Sequence, residues 1–213
     1  MSSKIKKSIR TKHRLIDAVF RLISDGDKVI SVNSITKESK LAYGTFYRYF
    51  KDLDDIHFQV IERSLIKAQI NLEKELALIE PIPLRVYISW FIAIDMFKQE
   101  NIASWLLDHP GKINQVFMQT EPMSEKWIRE AVKEEGCPNF RQKNADHYLK
   151  SRHYIFWMYP HCLSELVKGK KTKTVFTELM NASNIFNFSK EIHSSYIKDT
   201  IKYIENNKLS ISM

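Results

Sequence analysis

Few residues in this 213-residue chain have the type and spacing to do chemistry. Cys162 directly follows His161, but adjacency alone does not make a nucleophile and base, and no glycine-rich loop is present to cradle a phosphate. His109, His147, His153 and His161 share no metal-ligand spacing, and Cys137 and Cys162 form neither a metal pair nor a disulfide framework. No enzyme, metal site or cofactor is implied. What remains is recognition chemistry. The stretch "LAYGTFYRYF", Leu41 to Phe50, sets one of only five glycines among aromatic rings, a threonine and an arginine.

At about 100° per residue, Phe46 and Phe50 fall on one helical face, flanked by Tyr43 and Tyr49. That face suits packing on Ile35 and on the first helix. The opposite face carries Leu41, Gly44, Thr45 and Arg48, with Tyr47 at its border. An outward glycine costs a helix about 1 kcal/mol against alanine and gains nothing from core packing. The cost is understandable if another body must approach the backbone closely. A DNA phosphate or base edge is such a body, and Thr45, Arg48 and the tyrosine hydroxyls are donors beside it.

The elements that must position this face are helical throughout, and no strand pattern is visible. A first helix is expected over Ser8–Ser24, a second over Val32–Lys40 with Ser31 as N-cap, and a third over the quoted stretch. Two short helices joined by a tight turn, the second presenting small and polar groups, describe a helix-turn-helix. A fourth helix should open on Asp52, Asp54 and Asp55, whose charges suit the positive dipole end, and run to Ile79 before Pro81 and Pro83. Leu84–Phe97 is apolar nearly all round, which predicts a buried central helix. Further helices are expected over Ile102–Leu107, Lys112–Thr120, Ser124–Glu135, Asn139–Lys168, Thr174–Asn187 and Lys190–Asn206.

Charge points to an anionic partner. Lys plus Arg number 33 against 25 Asp plus Glu, a net charge of +8. Met1–Val60 carries 12 basic and 7 acidic residues, so +5 of the total, and six of the basic groups are Lys4, Lys6, Lys7, Arg10, Lys12 and Arg14. The basic start has no apolar block behind it, as a secretory signal would, and the apolar run "VYISWFIAIDMF" is short and interrupted by Asp95. A cytoplasmic protein without a membrane partner is expected.

Ile35 to Ile56, "ITKESKLAYGTFYRYFKDLDDI", resembles the helix-turn-helix signature of the TetR (tetracycline-repressor-like) transcriptional regulators, most closely in "YGTFYRYF". The recognisable part covers about Thr11 to Ile66. Three departures stand out. Ser39 and Lys40 replace the usual Ala-Gly step, Ala42 replaces a capping serine or threonine, and Leu53 replaces a phosphate-contacting lysine.

The resemblance implies an all-α fold: an N-terminal three-helix DNA-binding domain over 1–53, then a larger helical effector-binding and dimerisation domain over 54–213. It implies that the helix from Ala42 to Phe50 enters the major groove. Tyr43, Gly44, Thr45 and Arg48 are then candidates for base edges, and Tyr47, Tyr49, Lys51 and Ser31 for phosphates. Val32 and Asn33 would face the DNA backbone from the start of the second helix. It further implies a homodimer on a palindromic operator, joined through residues 147–167 and 190–204. The stripe Ile192, Tyr196, Ile197, Thr200, Ile201 and Ile204 suits such a contact. An effector pocket would be lined by Trp90, Phe91, Ile94, Phe97, Trp105, Phe117, Met118, Trp127, Tyr148, Phe156 and Trp157, a set that argues for a small apolar or aromatic ligand. Asp95 could orient a polar end of that ligand or be satisfied locally. Release of repression by ligand is the family's common mode. The alternative of a different class is a helical small-molecule-binding or protein-interaction module without specific DNA recognition.

Overall fold

Amphipathic periodicity becomes helix almost everywhere in the computed structural model, which describes residues 3–25, 30–98, 102–133, 158–184, 186 and 188–207. Among these no strand occurs, and the chain is all-α. It divides into two compact units, Met1–Ser64 and Leu65–Met213.

The first unit holds α1 (Ser3–Ser24), α2 (Val32–Glu38), α3 (Tyr43–Phe46) and the opening turns of α4 (Leu53–Leu76). Its core is Leu15, Ile16, Val19 and Leu22 of α1, Ile35 of α2, Phe46 and Phe50, and Ile56 and Val60 of α4. These are the spacings of three and four that place side chains on one helical face. α1 starts five residues earlier than expected, so its first turns are a basic helix with Ile5 and Ile9 exposed.

Local hydrogen bonds set the turn between α2 and α3. Ser31 caps α2 as expected: its Oγ accepts from the Ser34 N–H at 3.1 Å, while Ser34 Oγ accepts from the Ser31 N–H at 2.9 Å. At the other end the Leu41 N–H reaches the Thr36 carbonyl at 2.9 Å and the Lys40 N–H reaches that of Lys37 at 3.1 Å. This is a Schellman turn, with Lys40 at φ 53° where glycine is the usual occupant. Arg14 Nη2 of α1 donates to the Ser39 carbonyl at 2.6 Å and pins the turn from outside.

The recognition helix is shorter than the expected Ala42–Phe50. α3 spans four residues, and the chain then tightens through i→i−3 bonds, Arg48 N–H to Thr45 and Tyr49 N–H to Phe46. Ala42 offers no side-chain cap and Gly44 has low helix propensity, so nothing local prolongs it. α4 opens as the aspartates suggest, the Asp55 N–H donating to Asp52 Oδ1 at 2.8 Å, but ends at Leu76 rather than Ile79.

The second unit is built around α5 (Ile82–Lys98), buried along nearly its whole length as its apolar sequence predicts. Around it stand α6 (Ile102–Asp108), α7 (Pro110–Lys133), α9 (Thr172–Ala182) and α10 (Lys190–Asn207), while residues 158–167 form a further helix, α8. The two helices expected over Lys112–Thr120 and Ser124–Glu135 are one. The backbone stays helical through Pro122, because a proline forfeits one hydrogen bond while Ile113, Val116, Trp127, Ile128 and Ala131 keep a single buried face. Most of the helix expected over Asn139–Lys168 lies outside the described residues. α9 ends at Ala182, five residues short of Asn187, where Asn184 folds the chain back by bonding both backbone groups of Phe188.

Candidate nucleic-acid interface

The surface of α3 is anchored from beneath and bare above. Phe46 and Phe50 are buried, their rings 5.5 Å apart, against Ile35 and the α1 face. Above them Tyr43 is 54% and Tyr47 53% exposed, and Arg48 and Lys51 are exposed. A Cβ placed on Gly44 would meet no atom within 4 Å, so the chain itself puts nothing over this position. Thr45 is partly exposed beside it. The Arg48 side chain makes no ion pair or hydrogen bond among the described residues. Gly44, Thr45 and Arg48 stand on the outward face expected from the sequence, whereas Leu41, expected beside them, packs on the core and Tyr43, expected to flank the packed face, is exposed.

Not every candidate stands there. Tyr49 and Val32 are half-buried and pack on the core, so Val32 can offer only its backbone N–H. Asn33 and Ala42 are exposed. Ser31 is partly exposed, but its hydroxyl already serves the α2 cap. Leu53 also packs on the core, which shows what its apolar side chain does in place of a lysine. Lys51 is held through its backbone by Asp55 Oδ2 at 3.0 Å, with its ammonium outward.

In the second unit, Trp90, Phe91, Ile94, Phe97 and Trp127 are all buried. Phe91 meets Phe176 edge-on at 5.2 Å, and Trp105 stacks on His109 at 4.4 Å. Phe117 and Met118 belong to α7, but their side chains lie outside the described set, as do Tyr148, Phe156 and Trp157 entirely. Asp95 is satisfied within the unit, though not by a neighbour in sequence: Thr172 Oγ1 of α9 donates to its Oδ1 at 2.6 Å.

Sequence reasoning missed the cluster that surrounds Trp90. Tyr87 lies 5.8 Å from Phe186, 5.5 Å from Tyr196 and 5.7 Å from His193. The Tyr87 hydroxyl bonds His193 Nδ1 at 2.6 Å, and His193 Nε2 bonds the Met180 carbonyl at 2.8 Å. A carbonyl only accepts, so Nε2 carries the proton and Tyr87 donates to Nδ1. Burial lowers the His193 pKa and raises that of Tyr87, keeping both neutral. The available signal was the spacing of Tyr196, Ile197 and Thr200 on one face of α10, part of the stripe read above as a dimer contact; His193 lies outside that stripe. Tyr196, Ile197 and Thr200 are in fact buried within the unit, while Ile192, Ile201 and Ile204 stay partly exposed.

Fold and ridge together define the class: this is an all-α protein whose first unit carries a helix-turn-helix. No family profile matches the chain. Over 61 residues it is 39% identical to an HTH-type transcriptional regulator of Staphylococcus aureus (strain bovine RF122 / ET3-1), covering 28% of this chain and 33% of that one. A second S. aureus regulator of the same description (strain USA300) is 35% identical over 63 residues, covering 29% and 34%. The match thus spans about a third of the length of these curated relatives. Among solved structures, that of RolR in complex with resorcinol is similar in fold, with a TM-score of 0.70 and 16% identity over 91% of this chain and 95% of that chain. Among the described residues no group is placed to hold a metal ion, and no helix is long and apolar enough to cross a membrane.

Proposed function

We propose that this chain is a DNA-binding transcriptional regulator, working as a ligand-responsive repressor that holds a palindromic operator as a homodimer. The observation that carries the reading is the bare Gly44 ridge on a rigid base. Residues 1–53 then read DNA, with Arg48 reaching a guanine edge bidentately, Thr45 and the open Gly44 backbone beside it, and Lys51 on a phosphate. The Asn33 side chain and the Val32 N–H, at the start of α2, face the backbone.

One helix-turn-helix covers few base pairs, so specific binding needs a second copy on a two-fold axis. In residues 54–213, Val167 of α8 and Ile192, Ile201 and Ile204 of α10 retain exposed apolar surface for that contact. The aromatic interior, and the resorcinol bound by the similarly folded RolR, favour a small aromatic effector. An effector that prefers a conformation with misplaced recognition helices must weaken operator binding, and bound operator must weaken effector binding by the same factor.

The test is a titration against the DNA upstream of the protein's own gene at several salt concentrations. The reading expects a steep log–log loss of affinity with salt and one strongly preferred palindromic site. Weak binding, uniform over all sequences, would instead identify a helical module without specific DNA recognition.

A further inference from the structure

Tyr43 and Tyr47 stand one helical turn apart, and their exposed rings lean together with centroids 5.7 Å apart and planes at 59°. Their hydroxyl oxygens are 3.3 Å apart. Tyr47 is braced from below by the edge of the buried Phe46 ring at 5.2 Å, so the pair rests on the unit's core. Two exposed phenols held this way are one functional group. Resting on the DNA-binding reading above, we infer that Tyr43 and Tyr47 form a phosphate clip, whose two hydroxyls grip the non-bridging oxygens of a single backbone phosphate.

The chemistry of the pair selects this partner. Each phenol has one proton to give, and the hydroxyl hydrogens rotate freely. In the free protein one hydroxyl can donate to the other, and the second proton, on an exposed phenol, goes to solvent. A partner that takes both protons must be acceptor-only, with two oxygens close together. A phosphodiester meets that description and adds a negative charge; a guanine edge, with N7 and O6, offers two neutral acceptors, and a shifted base preference in the test below would point to it instead. The hydrogen bond with Tyr43 also raises the Tyr47 pKa, further from neutral pH. Tyr43 is therefore reassigned from a base edge to a phosphate, leaving Gly44, Thr45 and Arg48 to read sequence. Because the clip is neutral, it fixes register without releasing counterions.

A double-mutant cycle with Tyr43→Phe, Tyr47→Phe and the double variant tests this, using full-length protein and a duplex the wild type enriches from a random pool. Each single variant should bind roughly ten-fold more weakly, as expected for a lost bond to a charged acceptor, and the double variant should be little worse than either. The salt slope, preferred sequence and melting temperature should stay unchanged. Replacing the gripped phosphate by an uncharged methylphosphonate should erase the difference between wild type and variants. Additive losses, a shifted base preference or unaltered affinity would each overturn the clip, while a loss confined to Arg48→Ala would leave DNA binding standing. If the wild type enriches no duplex, the clip falls together with the DNA-binding reading.

Discussion

Lys40 holds φ at 53° in the Schellman turn, a conformation in which Cβ crowds the backbone. Lys40→Gly should therefore raise stability by about 0.5–1 kcal/mol, the relief of strain being partly offset by a looser unfolded chain. A chemical denaturation midpoint that fails to rise would show the strain to be absent. His193 gives a second residue-scale prediction. Its pKa is lowered in the fold, so below about pH 6.5 the unfolded chain takes up a proton that the folded state resists. Stability should fall as the pH drops through that window, and His193→Gln should flatten the slope measured by thermal melts. On the ridge, Arg48→Ala should cost about 1–3 kcal/mol of binding and relax preference at one base pair. Lys51→Ala should weaken all sequences alike and lower the salt slope by about one. Equal behaviour of the two variants in a binding selection would overturn their separate roles.

Among the elements, α3 trades its own stability for access. Adding a methyl at Gly44 meets open space and improves helix propensity by about 1 kcal/mol. Gly44→Ala should therefore melt higher than wild type, yet bind DNA at least about ten-fold more weakly, because a Cβ now stands where the duplex must come. A variant that gained stability and kept its affinity would show that nothing approaches the helix there. The α2–α3 pair was legible in advance because its signals are local: Ser31 caps, Phe46 and Phe50 share a face, and the aspartates open α4. The length of α3 was not, since the residues after Phe46 keep helical periodicity while the Arg48 and Tyr49 N–H groups bond i→i−3. In α7 the error ran the other way: Pro122 reads as a break, but packing against α5 carries the helix through it.

For the whole molecule, the proposed dimer predicts that dilution below its dissociation constant lowers apparent DNA affinity and raises the Hill coefficient for operator binding. Ile201→Glu, placed on the partly exposed side of α10, should yield monomers by analytical ultracentrifugation with the helical content retained. A variant that stayed dimeric would move the interface away from α10. Ile56 and Val60 of α4 belong to the core of the first unit, while Leu65, Ala68, Leu72 and Leu76 are buried residues of the second.

The order of amino acids alone determined that the chain is helical and that its amino end is a helix-turn-helix with an outward glycine. Caps, spacings of three and four, and glycine propensity all act within a turn or two of helix. Tertiary structure decided what lies between distant residues. It brought Tyr87 to His193 and Thr172 to Asp95, and it turned Tyr196 and Thr200 inward where the stripe suggested a partner. It also set the two phenols of α3 side by side above Phe46. Such pairings depend on how whole helices pack, and periodicity states only which face is buried, not against what.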